Sequence, residues 1–504
     1  MALLSLPVWR RADRPAPSTA LVHRPARDWL PVWIWAAAAT CAVGGAGLMG
    51  LIGVRAAVLL FGLLGGVWLL GVLFRGTPRL YDRIVIGAFA LYLALPSLLK
   101  AFGLAFFGPL QGLVYALAFK GVRPMWRARR DMPYLQAALM CFAAFMLLGL
   151  ATSFVGRSSF LAAAFQFLSN LKPVLLVALG FAVAWTAAGE KAFWFLVRWA
   201  WLPMLLLVGF EWAAPGSYQK VFPYSGGLSP DPSGLLPSRA KGLFEHPSFL
   251  ANASAQLALL CLATAACRPA GRRLGPTLLG VAYLVTLVTS AQRGEQFSLL
   301  MSGLLAAIVV MQRAVKRRIV LSVSVVLLGL GFWSVFSADI AREATTWGIG
   351  SSGQVEHPRA QIFRGAFEVA SREFPLGSGL GTYGGAGAEK FDLSLYDELG
   401  FRQYWWYLVE DYLMDTYWPN SIAETGYIGA LLLLSSYLLL SVAAAVRARA
   451  CLQPQAKAYW VTACCGMWFM LGNSFSSPTF QDPRLFLLVA VMFGIAYRAE
   501  RRHG

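Results

Sequence analysis

RPAGRRLGPTLLGVAYLVTLVTSAQRGEQFSLLMSGLLAAIVVMQRAVKRR, residues 268–318, decides the fold. Two apolar runs, 275–291 and 295–312, flank the polar turn that carries Arg293 and Glu295. Arg268, Arg272 and Arg273 stand before the first run, and Arg313, Lys316, Arg317 and Arg318 follow the second. At the α-helical rise each run approaches the thickness of a bilayer's hydrocarbon core. Basic residues collect on the cytoplasmic side of membrane helices. The stretch is therefore expected to be a helical hairpin with its ends in the cytoplasm and Arg293 at the outer face.

Working outward, similar runs predict helices at 29–53, 56–74, 84–102, 104–119, 132–153, 165–187, 192–210, 247–267, 319–336, 421–446, 458–476 and 484–498. The run at 104–119 contains Gly108-Pro109 and rests on charge parity. Arg75, Arg79 and Arg83 precede it, Lys120, Arg123, Arg127, Arg129 and Arg130 follow it, and both clusters belong inside. Arg447, Arg449 and Lys457 continue the alternation, as do Arg498, Arg501 and Arg502 in the tail. The expected fold is an all-α polytopic membrane protein of about 12–14 transmembrane helices with a large, partly helical outer loop. Its order is a cytoplasmic tail (1–28), transmembrane helices (29–210), an outer loop (211–246), transmembrane helices (247–336), a large outer loop (337–420), transmembrane helices (421–498) and a cytoplasmic tail (499–504).

Composition agrees. Of 504 residues, 58% are apolar and 13% charged, about half the charge of a soluble domain, and the mean hydropathy is +0.59. The start MALLSLPVW is not read as a signal peptide, because Arg10 and Arg11 follow at once. The net charge of +19 sits in short loops between apolar runs, which argues for membrane topology and against nucleic acid. The seven cysteines fall in helices or on the cytoplasmic side, so neither a disulfide framework nor a metal pattern is indicated. Arg198, inside an apolar run, is either structural or snorkels to the interface.

The outer segments hold the chemistry. Residues 211–246, EWAAPGSYQKVFPYSGGLSPDPSGLLPSRAKGLFEH, read as an ordered loop or lid. Residues 337–420 exceed ordinary loop length, which points to a small domain or functional lid. Twelve of the 24 acidic residues lie there against six Lys or Arg, so the outer face is the acidic one. The same segment holds Trp347, Tyr383, Tyr396, Tyr404, Trp405, Trp406, Tyr407, Tyr412, Tyr417 and Trp418. Aromatic faces with polar tips suit a carbohydrate. They equally suit an aromatic belt at the lipid headgroups.

Four stretches carry candidate residues. In TSAQRGEQFSLL, Arg293 at a helix start grips a phosphate or pairs with Glu295; both readings stand. RAKGLFEHPSFLA offers Arg239, Lys241 and Glu245, with His246 as base, ligand or structural hydrogen-bonder. PRAQIFRGAFEVASREFPLGSGLGTY predicts a helix from Arg359 to Glu373 that includes Arg364, with His357 just before it and a glycine-rich tight turn after it. VEDYLMDTYWPNSIAETG puts Asp411 and Asp415 at i,i+4, on one face if helical, with Glu424 at the top of a transmembrane helix. Carboxylates that accept a hydroxyl proton, beside cations that hold a departing phosphate, are what glycosyl transfer requires. No metal-ligand spacing appears in these stretches.

In this order, these four stretches resemble the O-antigen ligase and Wzy-type polysaccharide polymerase family. RAKGLFEHPSFLA is similar to its R-x-x-G-x-F-x-H-P-N segment and TSAQRGEQFSLL to its T-x-S-R-G helix start. PRAQIFRGAFEVASREFPLGSGLGTY resembles R-x-x-x-W…P-L-x-G-x-G-x-F, and DTYWPNSIAETGYIGALL resembles H-N-x-x-L…E-x-G-x-x-G. The likeness covers about 239–432.

The resemblance implies a GT-C-like, metal-independent glycosyltransferase of the bacterial inner membrane that needs no cofactor and acts on the periplasmic face. Its donor would be an oligosaccharide on undecaprenyl diphosphate. Membrane lipid and a chain-length regulator or other export-machinery proteins would be its partners. Arg239 and Arg293 would bind the diphosphate, assisted by Lys241 and by Arg359 or Arg364, with Tyr417 and Trp418 against the sugar. Asp415 or Glu424 would be the base, with His357 and His246 in reserve. The family's His about nine residues before the Glu is absent, and Asp415 holds that spacing. Its absence favours a polymerase of repeat units over a ligase that delivers glycan to lipid A core or protein. A lipid-linked sugar flippase is the alternative of another class. It would place ionisable groups near mid-membrane, where this chain has few.

Overall fold

A computed structural model describes residues 79–101, 107–222, 231, 234–310, single positions between 319 and 341, 357–409 and 412–503. The chain divides into two units, 1–65 and 66–504, and the described residues belong to the second. The runs expected at 29–53 and 56–74, together with Trp347 and Asp411, lie outside the described residues.

Among the described residues the chain is helical, with no strand. Five helical stretches are long and apolar enough to cross a membrane: Pro133–Val155, Phe160–Ala182, Ala187–Ala213, Pro247–Cys267 and Trp418–Ala450. Helices at Leu80–Ala101, Phe107–Ala128, Leu274–Thr289, Arg293–Val310, Pro454–Asn473 and Pro483–His503 cover further expected runs. Among its described residues the 337–420 segment is partly helical, at Pro358–Arg372, Ala386–Phe391, Ser394–Glu398 and Trp405–Leu408.

Three boundaries differ from expectation for identifiable reasons. The 165–187 run stops as a helix at Ala182. There the buried Asp82 collects the amides of Ala184, Trp185 and Thr186 at 2.9 Å each, plus the Thr186 hydroxyl at 2.7 Å, so the carboxylate outcompetes another helical turn. The 192–210 run breaks at Ala200 into Ala187–Trp199 and Trp201–Ala213. Pro203 lacks the N–H that would have bonded the Trp199 carbonyl. Lys120 and Arg123 are not in a loop, because the helix from Phe107 runs through them to Ala128.

The Phe160–Ala182 helix packs against Phe107–Ala128 and Pro483–His503. Gly180 and Gly494 meet there with their backbones in contact, and a side chain on either would strike the other chain. Small residues of this kind let membrane helices approach closely, since lipid tails leave packing as the main attraction. The Trp418–Ala450 helix lies against Pro133–Val155, Pro454–Asn473 and Pro358–Arg372, which packs part of the 337–420 segment onto the helical body.

Candidate anion-binding site at the helix ends

The stretch 240–242 is pinned before its side chains act. The Lys241 and Gly242 amides each donate to Glu211 Oε2 at 2.8 Å, and Tyr218 Oη donates to the Gly242 carbonyl at 2.6 Å. Ala240 N donates to the Thr289 carbonyl at 3.1 Å, which ties the Arg239 stretch to the turn before Arg293. Lys241 and Glu211 are both buried. Desolvation holds the Lys241 ammonium below its usual range, against the attraction of Glu211.

His246 caps the Pro247–Cys267 helix, and its Nδ1 accepts from the Ser248 amide at 3.2 Å. Accepting at Nδ1 leaves the proton of the neutral ring on Nε2, so His246 presents a donor rather than a base. Its edge is exposed, yet desolvation, followed by the charges of Lys241, Arg359 and Arg239, pushes its pKa down to about 4.

Helix Pro358–Arg372 brings in the second set. Arg359 Nε donates to Asp415 Oδ2 at 2.5 Å, and both side chains remain partly accessible. Desolvation raises the Asp415 carboxyl above its usual range, with Arg359 and His357 opposing it. Asp415 lies in the non-helical stretch 412–417, just before the helix that starts at Trp418. Arg293 Nη2 pairs with Asp231 Oδ1 at 3.1 Å. Glu295, in the first turn of the same helix, is buried and feels Arg359 and Arg239. Arg239 Nε is buried with no hydrogen-bond acceptor in the structure.

Arg239 and Arg359 thus act on both His246 and Glu295, Lys241 acts on His246, and Asp415 is bonded to Arg359. Arg293 pairs with Asp231 instead, and only its turn is tied to the Arg239 stretch through the backbone, while His357 acts on Asp415. Such an arrangement can hold an anion by charge-assisted hydrogen bonds beside a carboxylate able to take a proton. Among the described residues there is no group of three or more His, Cys, Asp or Glu that could hold a metal.

Other candidates go elsewhere. Glu424 is fully buried, and its Oε1 accepts from the amides of Gly381 at 2.8 Å and Tyr383 at 3.4 Å. Its backbone carbonyl takes the Gly379 amide at 3.0 Å. Glu424 thus anchors the glycine turn and is not placed to deprotonate a substrate. The turn needs its glycines: Gly377 has φ +83 and lies on the Ala423–Gly426 backbone, where Gly426 itself leaves helical geometry at φ +65. Tyr417 and Trp418 are core residues rather than a sugar platform. Tyr417 Oη bonds Tyr437 Oη at 2.6 Å, and Trp418 Nε1 donates to Ser474 Oγ at 2.8 Å. Arg364 is exposed and joins none of these contacts, because five positions from Arg359 it leaves that helical face. Tyr383, Tyr396, Trp406 and Tyr407 form a buried stack around Phe401, while Trp405 and Tyr412 stay exposed.

Arg484 was not singled out in the sequence. It chelates Asp482, reaches Glu245 at 3.5 Å and stacks on Phe249 at 4.0 Å. The signal was present as Asp482-Pro483-Arg484, a charged pair at the start of the last helix. Glu295 was read only as a partner for Arg293.

Comparison with protein-family models finds no match to this chain, and comparison with curated proteins finds none either.

Proposed function

We propose that this chain is a metal-independent, GT-C-like glycosyltransferase of the bacterial inner membrane that polymerises oligosaccharide repeat units carried on undecaprenyl diphosphate. The observation that carries the reading is that Arg239 and Lys241 from one outer segment, and Arg359 from another more than a hundred positions away, converge on His246 beside a carboxylate. Arg239 and Arg359 take the diphosphate, and His246 Nε2–H donates to an oxygen of donor or acceptor. Asp415 accepts the proton of the acceptor hydroxyl. That oxygen bonds to the anomeric carbon, the carbon–oxygen bond to the diphosphate breaks, and the lipid diphosphate leaves held by the arginines. Burial makes Asp415 a stronger base than an ordinary Asp. The product serves as exopolysaccharide, capsule or O-antigen.

The test is the glycan pattern of cells that lack the protein or carry Arg239→Ala. A polymerase predicts accumulated single-repeat lipid intermediates in both. Long, unattached lipid-linked chains would identify a ligase instead, and unflipped intermediates on the cytoplasmic face a transporter. Normal polymer in cells with well-expressed Arg239→Ala would remove the site assignment.

A further inference from the structure

A cavity lies at the helix ends that the positive-charge pattern assigns to the cytoplasm. Its volume is about 780 Å³, the size of a ligand pocket. It opens between the Ala187–Trp199 helix, Trp201 and the start of the Leu274–Thr289 helix. Arg198, Arg268 and Arg272 line it together with Trp194, Trp199 and Trp201.

The walls are rigid. Tyr283 Oη donates to the Val197 carbonyl at 2.6 Å and ties the two sides of the cavity together. Trp194 Nε1 donates to Tyr459 Oη at 2.8 Å, which fixes one indole. Arg268 is held by Gln455 Oε1 at 3.3 Å. Arg198 and Arg272 are exposed, and no described carboxylate bonds either one. Three guanidinium groups thus face one cavity with no carboxylate in its lining. The rest of the lining is apolar, and the same Leu274–Thr289 helix turns Leu274, Leu278, Val281, Val285 and Val288 outward. A face of that composition in a membrane protein meets acyl chains, so the cavity opens beside lipid.

We propose that this cavity binds an anionic membrane phospholipid, with its phosphate on Arg198, Arg268 and Arg272 and an acyl chain along Trp199, Trp201 and Leu278. Basic pockets between membrane helices on the cytoplasmic side suit such headgroups. Tryptophan suits the interface between headgroup and chain. The ligand chemistry is a phosphate anion joined to an apolar tail, separate from the diphosphate site at the outer face.

The experiment titrates full-length, delipidated protein in detergent with phosphatidylglycerol, phosphatidylcholine or inorganic phosphate, and reads binding by native mass spectrometry and thermal stabilisation. Phosphatidylglycerol is expected to bind and stabilise, and the other two are not. In Arg198→Gln/Arg272→Gln its apparent Kd should weaken about thirtyfold, with the lipid-free melting temperature unchanged because neither side chain is bonded. Ala282→Trp, which fills the cavity from its wall, should abolish binding without touching charge. Equal binding of phosphatidylcholine, saturation by inorganic phosphate, or an unchanged Kd in either variant would overturn the assignment.

Discussion

Arg359 and Asp415 stand 56 positions apart, and a 2.5 Å hydrogen bond between Nε and Oδ2 joins them. The bond ties the first turn of the Pro358–Arg372 helix to the stretch that leads into Trp418. Arg359 also acts on His246 and Glu295, as Arg239 does. Neither side chain is sealed from solvent, so an incoming anion can compete for the guanidinium and free the carboxylate.

Asp415→Asn keeps an acceptor for Arg359 and removes the proton acceptor. Transfer measured in membrane vesicles with lipid-linked donor should fall by about 10²- to 10⁴-fold, with thermal stability close to wild type. The pH profile gives the sign. Asp415 acts as a base only when ionised, and burial raises its pKa, so wild-type activity should decline as pH falls at values above the usual carboxylate range of about 3.9. An Asp415→Asn enzyme of full activity would discard it as the base.

Glu424→Leu should behave oppositely. Glu424 Oε1 holds the glycine turn by accepting two backbone amides, and without it those buried donors go unsatisfied at a cost of about 1–3 kcal/mol. The melting temperature should drop while transfer per folded molecule is retained. Full stability with lost transfer would return Glu424 to the reaction.

Tyr417→Phe leaves the Tyr437 hydroxyl buried without its partner, again at about 1–3 kcal/mol. The effect should appear in thermal stability and leave KM for the donor unchanged. A raised KM with intact stability would mean that the ring contacts sugar.

Stability should depend on His246. Its pKa is about 4 when folded against 6.5 as a free side chain, so between these values the unfolded chain binds a proton that the folded chain does not. Stability is therefore full above pH 6.5, falls as pH drops towards 4 and levels off below. His246→Asn preserves the helix cap and should remove this component of the slope in thermal melts.

Arg364→Ala should leave transfer within about twofold of wild type, since the side chain is exposed and outside the cluster. Its loss of activity to the level of Arg359→Ala would place a substrate surface on the outer face of that helix.

The legible part was whatever depends on local pattern. Apolar length and flanking arginines located helices such as Pro247–Cys267, whose expected and observed bounds coincide. Glycine clustering located the turn after Pro375. Less legible were the ends that distant partners decide. Asp82 ends a helix a hundred positions later, which no window around Ala182 reveals.

By itself the sequence determined that this chain is a set of helices long and apolar enough for lipid, with many of its ionisable groups in the segments between the apolar runs, because the cost of burying charge in hydrocarbon acts on each residue where it stands. Only the tertiary structure decided which charged groups meet. Glu424, Tyr417 and Trp418 looked like site residues from their neighbours in the chain, yet packing turned them inward, while Arg359 came to Arg239 and His246 from a separate segment. Electrostatic interaction depends on distance through space, and distance along the chain does not set it.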